Sequence, residues 1–480
     1  MNHLSLDTNM EAVNQAFRIA LGDLYGNISY FQDGLLSKPR PVILAGLEYD
    51  TPWTRDASIN VWNGASLLFP EESRDTLLCV LVQENGIKRI GGQYWDAIIW
   101  AAGAWQYYVT TKDRGFLSLA SEALENSLLW FEEREYNPDR QLFSGAACYG
   151  DGISAYGDAF ARENQGESGI DHWPLTNPDK CRGKNGGVGM PIYTLSTNCL
   201  YVLAYQRALD MARELGKEEN SHFADMHRLL RASIRRNFWM PDKGTFAYYR
   251  ASFPQEHTCQ SQEALGLAFA LLCGLTDQEE TRQVLSHCVT TPAGIPCVWP
   301  SFSRYDQPDG QGFGRHSGTV WPHAQGFWAD AAKKAGNYSA FWKEFSALTE
   351  HAVRDQQFGE IYHPLTGQLY GGRQELHGTI TEWHSCNRQT WSATAYLRMV
   401  LEDLAGLEFT PEGIHFAPML GEGLTSLTLT GLSYRKAGIT LSVSGSGSEI
   451  GSFTVNGIPR SQPFLSTSEE GDLSVNIHLI

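Results

Sequence analysis

The chain has 480 residues, 42% of them hydrophobic, and sets 37 Lys and Arg against 54 Asp and Glu for a formal charge of −17, with a pI near 5.3. That balance argues against nucleic acid, an anionic membrane surface or a polyanion as the main partner and favours a neutral small-molecule ligand. Aromatic residues make up 12%, which serves both core filling and stacking on the C–H faces of sugars.

No apolar run approaches the roughly 20 residues of a membrane span, and the N-terminus lacks a basic segment followed by an apolar one. Nine cysteines run from Cys79 to Cys386 without a Cys-x-x-Cys pair. They read as reduced thiols, so a cytoplasmic location is expected. The sequence carries no reading of the oligomeric state.

Apolar residues at helical spacing begin at Thr8 and recur with almost no strand-like alternation until about residue 408. The spacing predicts helices over 8–25, 56–69, 71–85, 93–110, 114–134, 194–215, 219–238, 262–273, 276–289, 318–335, 338–355 and 390–404. The helices starting near 93, 194, 318 and 390 are apolar on most faces, as in Ala97-Ile-Ile-Trp-Ala-Ala-Gly-Ala-Trp105, and should be buried all round. Their neighbours carry a charged, solvated face. Alternation of the two kinds predicts a mainly α fold, an (α/α)6 barrel with six inner and six outer helices. An α-solenoid is the alternative, but no repeat at a fixed period is visible. The segments 26–55, 135–193, 290–317 and 356–389 are too long to be mere connectors, and their Gly, Trp, Tyr and acidic residues suit loops over a binding site.

Beyond residue 408 the texture becomes period-two alternation with Gly and Asn turns, which predicts a small antiparallel β-domain over 408–480 beside a catalytic domain over 1–407.

Four constellations lie where the predicted inner helices begin. The first is Asp50-Thr-Pro-Trp-Thr-Arg-Asp56. Asp56 could be a plain capping acid, but Trp53 and Trp62 beside Arg55 favour a planar site that grips hydroxyls, and the guanidinium should keep Asp56 ionised. The second, Glu163-Asn-Gln-Gly-Glu-Ser-Gly-Ile-Asp-His-Trp-Pro174, gathers Glu167, Asp171, His172 and Trp173 around a glycine turn. The third, Ser317-Gly-Thr-Val-Trp-Pro-His323, follows Arg315 and His316. Its two histidines lack a third ligand at sensible spacing, so no metal is expected, and no cofactor either. The fourth runs from Gly359-Glu360-Ile-Tyr-His363 through Thr379-Ile-Thr-Glu382 to Gln389-Thr-Trp391. Trp95 and Asp96, with Trp321 and Trp391, are expected to wall the same pocket.

A rim with isolated carboxyls and stacking aromatics, but no Ser or Cys nucleophile motif, P-loop or dinucleotide fingerprint, points to glycoside chemistry. One carboxyl must give a proton to the leaving oxygen and another must accept one from water.

At these residues the sequence resembles known families. Glu167-Ser-Gly-Ile-Asp171 is similar to the Glu-Ser-Gly-x-Asp motif of glycoside hydrolase families 63 and 37, which include processing α-glucosidases, mannosylglycerate hydrolases and trehalases. Trp53-Thr-Arg-Asp56 resembles the Trp-x-Arg-Asp stretch of glucoamylases. Glu360-Ile-Tyr-His-Pro-Leu-Thr-Gly367, followed by Thr390-Trp-Ser-Ala393, is similar to the segment in which these families place the general base. The resemblance spans most of residues 40–405 and implies an (α/α)6 six-hairpin glycosidase hydrolysing a small carbohydrate with inversion, Asp171 as general acid and Glu360 as general base. Inversion needs the two carboxyls roughly 6.5–9.5 Å apart. Arg55 and Asp56 would hold the non-reducing sugar. Thr379-Ile-Thr-Glu-Trp383 resembles a rhamnosidase segment and makes Glu382 a rival base. His172-Trp173-Pro174 departs from the family continuation and is therefore the candidate for leaving-group recognition. The implied activity is that of an exo-α-glycosidase, most simply an α-glucosidase. The alternatives are an α-L-rhamnosidase, a disaccharide phosphorylase using Arg315, His316 and His323, and a non-catalytic carbohydrate-binding protein.

Overall fold

A computed structural model describes residues 4–92, 95–181 and 189–480. Among these, twelve helices of at least seven residues form the body: α1 (Glu11–Gly26), α2 (Thr54–Asn60), α3 (Pro70–Cys79), α4 (Trp100–Thr111), α5 (Arg114–Glu135), α6 (Leu195–Leu215), α7 (Ser221–Phe238), α8 (Ala264–Leu272), α9 (Gln278–His287), α10 (Pro322–Lys334), α11 (Tyr338–Asp355) and α12 (Thr390–Arg398). Their starts follow local capping chemistry. Asp113 accepts the Phe116 amide at the head of α5, and Asp277 with Glu280 forms a reciprocal capping box at α9. Helix α6 ends at Gly216 in the left-handed conformation.

Even-numbered and odd-numbered helices have different neighbours. α2 packs on α4, α4 on α6, α6 on α8, α8 on α10, α10 on α12, and α12 returns to α2. The odd members lie against them: α1 on α12, α3 and α5 on α4, α7 on α6, α11 on α10. Helix α8, Ala-Leu-Gly-Leu-Ala-Phe-Ala over 264–270, is buried along that whole stretch, whereas α7 and α11 bury one stripe each.

Several expectations need correction. The stretch expected as helix 71–85 is helical only to Cys79; Leu81–Glu84 pairs instead with Ile87–Ile90. Asn85 and Gly86 between them both have positive φ, the requirement of a tight hairpin turn that Asn-Gly meets at little cost. The start expected at residue 93 falls on Gln93 and Tyr94, outside the described residues; a short turn over Ala97–Ile99 leads into α4. The helix expected from 318 begins at Pro322, where the ring of proline is tolerated. Short strand pairs also occur between helices, among them the hairpin of Arg373–Leu376 with Thr379–Glu382.

The C-terminal strands form a mixed sheet rather than a purely antiparallel one. Its order is Ser5–Thr8, Ser426–Tyr434, Ala437–Ser444, Gly471–Leu479, Ile450–Val455, Ile458–Pro459, and the pair Ala437–Ser444 with Gly471–Leu479 is parallel. The edge strand Ser5–Thr8 comes from the N-terminus. Alternate residues of Gly471–Leu479 are buried, the period expected of a strand with one covered face. One hydrophobic cluster joins these strands to α1, α11 and α12.

Candidate active site

The heads of the even-numbered helices open on a cavity of about 260 Å³ whose walls include Trp53, Arg55, Asp56, Asp171, Trp321, Glu360 and Trp391. Residues this far apart in the chain converge because each sits in, or just ahead of, the first turn of a helix or in a loop leading to one. Helix N-termini carry partial positive charge, so carboxylates are favoured there.

Glu360 is held on three sides. Tyr49 Oη donates to Oε1 at 2.9 Å, Arg315 Nη2 to Oε2 at 2.8 Å, and the Cys386 amide to Oε2 at 3.2 Å. Arg315 is itself fixed by the Gly371 and His384 carbonyls and lies over the rings of Trp321 and Trp383.

Asp171 comes from a different element. The loop that carries it is stapled to the Asp151–Ile153 segment by the Ile170 amide donating to the Asp151 carbonyl and the Ile153 amide donating to the Ser168 carbonyl, both at 2.7 Å. Asn164 donates to the Glu167 and Gly169 carbonyls and closes the turn. The Asp171 carboxylate lies directly against the Cα of Gly169, in the space that a Cβ there would need. Gly166, at φ +79°, meets the backbone of Gly378 at the tip of the 373–382 hairpin, and the Gly378 amide donates to the Gly166 carbonyl. Unlike Glu360, Asp171 makes no ion pair among the described residues.

Arg55 behaves differently from the expectation. Its guanidinium bridges two other carboxylates, Asp96 at 3.1 Å and Asp151 at 2.9 Å, and its pull on Asp56 does not outweigh burial. Asp96 also accepts the Tyr149 amide at 2.7 Å. Asp56 accepts a long hydrogen bond from Gln389 Nε2 at 3.5 Å, and burial pushes its carboxyl up to about 8 against the pull of Arg55. For Asp151 burial raises, while the Arg55 guanidinium and the hydrogen bond to His316 lower; the lowering wins, and the carboxyl sits well below its usual range.

Asp151 was not among the sequence candidates. Tyr149-Gly-Asp-Gly152 offers a signal, an acid between two glycines inside a long loop, and Gly152 is needed because a Cβ there would collide with His316 and Gln374. Tyr49, Tyr149 and Gln374, which no sequence motif singles out, also line the cavity, as do Trp383 and Gln389 of the fourth constellation.

Other expected residues lie elsewhere. Trp95 is buried, donating Nε1 to the Ala147 carbonyl at 2.8 Å. Asp96 is fully buried behind Arg55. Trp173 is in the core against Phe160 and Phe253, while His172 is exposed at the surface; neither lines the cavity. Glu167 is half-buried away from it, and Glu382 is exposed on the 373–382 hairpin opposite Arg373. His323 stacks behind Trp391 at 4.0 Å, edge-on to Tyr149. Burial there, with Arg55 nearby, holds it neutral. Trp62 is not near Arg55 at all. It lies nine residues beyond Trp53 along a helix, roughly 13 Å down the axis, at the opposite end of the bundle.

Residues 96–392, more than half of the chain, match the family model described as the mannosylglycerate hydrolase MGH1-like glycoside hydrolase domain. A search of the curated proteins found no match. Among solved structures, a protein described as a sialidase is 14% identical with a TM-score of 0.67, and the alignment covers 97% of this chain and 41% of that one. The family 63 mannosylglycerate hydrolase from Thermus thermophilus, in complex with Tris and D-glycerate, is 14% identical with a TM-score of 0.59, covering 80% of this chain and 100% of that one. The family 78 rhamnosidase from Bacillus sp. GL1 is 13% identical with a TM-score of 0.56, covering 100% of this chain and 44% of that one. This chain therefore spans less than half the length of the sialidase and the rhamnosidase, and at these identities the likeness is one of fold.

Proposed function

From its membership of the mannosylglycerate hydrolase MGH1-like glycoside hydrolase family, to which the chain belongs, we propose that this glycoside hydrolase is an inverting, exo-acting α-glycosidase built on an (α/α)6 barrel, residues 1–407, with a small β-domain over 408–480. The closed order of contacts among the even-numbered helices supports the barrel.

The observation that carries the reaction is the placing of Asp171 and Glu360 on the walls of one cavity, one carboxyl outside any ion pair among the described residues and the other clamped. A carboxylate offers about four acceptor positions. Three on Glu360 are taken by Tyr49, Arg315 and the Cys386 amide, which leaves one for a water. In the proposed step Glu360 takes a proton from that water as its oxygen bonds to the anomeric carbon, the glycosidic C–O bond breaks, and Asp171 delivers its proton to the departing oxygen. Glu382, off the cavity, is the weaker candidate for the base.

A cavity of about 260 Å³ falls below the roughly 300–1,000 Å³ typical of sites for drug-sized ligands and suits one terminal sugar. Trp53, Trp321 and Trp391 supply stacking faces, and Asp56 with Arg55 faces the sugar hydroxyls. Phosphorolysis is disfavoured because Arg315 is committed to Glu360 and His323 is sealed behind Trp391. The substrate proposed is a small neutral α-glucoside or oligosaccharide. Likeness to the rhamnosidase across the whole chain supports an α-L-rhamnosidase as the second reading.

A panel of α-glucosides, α-mannosides and α-L-rhamnosides followed by NMR tests both points. The anomer released first should be inverted; a retained anomer would overturn the mechanism, and turnover confined to rhamnosides would select the second reading.

A further inference from the structure

The C-terminal ends of α8, α10 and α12 meet at a second cavity of about 370 Å³, which the bodies of α4 and α6 also wall and Glu408, Phe409 and Thr410 of the C-terminal segment roof. We infer that it is a second saccharide-binding site, for a neutral mono- or disaccharide, separate from the one where the family motifs gather.

Its chemistry is of the right kind and in the right balance. Trp62 and Trp105 are both half-buried and both line it; Trp62 packs on Phe327 and Phe269, and the indole surface left open on the two is what the C–H face of a sugar ring would meet. Each is backed by a guanidinium: Arg398 lies over Trp62 at 5.2 Å and Arg207 over Trp105 at 5.5 Å. The lining acids Asp330, Glu402 and Glu408 match the three lining cations Arg207, Lys334 and Arg398 in number. An equal count of both signs gives no net attraction for an ion, while planar carboxylate and guanidinium groups are well shaped for the vicinal hydroxyls of a sugar.

Two polar atoms remain unused. Arg398 is 2% exposed, and although one of its terminal nitrogens pairs with Asp330 and Glu402, its Nε has no hydrogen-bond partner among the described residues, nor has Glu402 Oε1. Unpaired donors and acceptors are costly in a buried place; these two have no accessible surface of their own, so the groups open to a ligand are the indoles and the exposed ends of the lining charges. The two cavities lie at opposite ends of the same helices: Trp53 at the head of α2 lines one, and Trp62, beyond its tail, the other. The inference therefore stands independently of which glycoside is cleaved.

Full-length protein labelled with 5-fluorotryptophan, with the Trp62 and Trp105 signals assigned through Trp62→Phe and Trp105→Phe, tests it by ¹⁹F NMR titration with D-glucose, D-mannose, L-rhamnose and maltose. The expected result is a saturable millimolar movement of both signals with at least one of these sugars, retained when Glu360→Gln has stopped turnover. Trp105→Ala should abolish the Trp62 movement while leaving hydrolysis and the Trp53 and Trp391 signals as they were. No saturable movement of either signal with any of the four sugars would overturn the inference, as would movement that only follows the Trp53 and Trp391 signals with the same midpoint.

Discussion

Tyr49 and Glu360, 311 residues apart in the chain, are joined by a 2.9 Å hydrogen bond in which the phenol donates to the carboxylate. Hydrogen bonds to charged groups are worth about 1.5–3 kcal/mol, so Tyr49→Phe should lower kcat by about 10- to 100-fold while KM changes little. Steady-state kinetics beside a thermal melt checks this; a raised KM with kcat unchanged would count against Glu360 as the working base.

Gly169 bears on Asp171 alone. An alanine there must push the carboxylate aside, and the obstructing atom is the far end of a flexible side chain, so the cost to folding is small. Gly169→Ala should keep its melting temperature within a degree or two and yet lose about 10² or more in kcat, the span usual for a misplaced general acid. Wild-type turnover in this variant would remove Asp171 from the mechanism.

Arg55 carries structure as well as substrate contacts. Removing it leaves Asp96, fully buried, without its counter-ion, and breaking a buried pair from one side costs about 3–5 kcal/mol. Urea denaturation of Arg55→Leu should show a loss of that order, with part of it recovered in Arg55→Leu/Asp96→Leu.

Asp56 sets a stability gradient with pH. Its folded-state carboxyl titrates near 8, whereas an unfolded Asp titrates near 3.9. Between those values the native state holds a proton that the unfolded state has lost, so stability falls as pH rises and levels off above about 8. Asp56→Asn removes that penalty. The variant should match wild type near pH 4 and exceed it by about 1 kcal/mol or more at pH 9, read from paired denaturation curves, while losing activity at both.

The helices were legible because apolar spacing over long segments is a strong signal: Thr390-Trp-Ser-Ala-Thr-Ala-Tyr-Leu and Leu195-Ser-Thr-Asn-Cys-Leu-Tyr-Val each lie where they were expected. The overrun past Cys79 had a visible antidote in Asn85-Gly86. In the site, Arg55, Asp56, Asp171, Trp321, Glu360 and Trp391, each within a motif, line one cavity, although Glu167, His172 and Trp173 of the same stretch as Asp171 do not; Tyr49 is one phenol among 20 tyrosines, and only the fold sets it on Glu360. Trp62 failed for a geometric reason, since nearness in sequence becomes distance along a helix axis. Trp173 failed because the same aromatic that could stack on a sugar can pack against Phe160 and Phe253 instead.

The contact between Gly166 and Gly378 ties two loops of separate origin into one clamp, since Gly166 has no room for a side chain against the Gly378 backbone and Gly378 turns there at φ +80°. As heritable parts they are therefore a single unit. A chimera that exchanged the acid-bearing loop with a relative's while keeping this 373–382 hairpin would misalign the seam, and grafts between such enzymes should take both pieces at once.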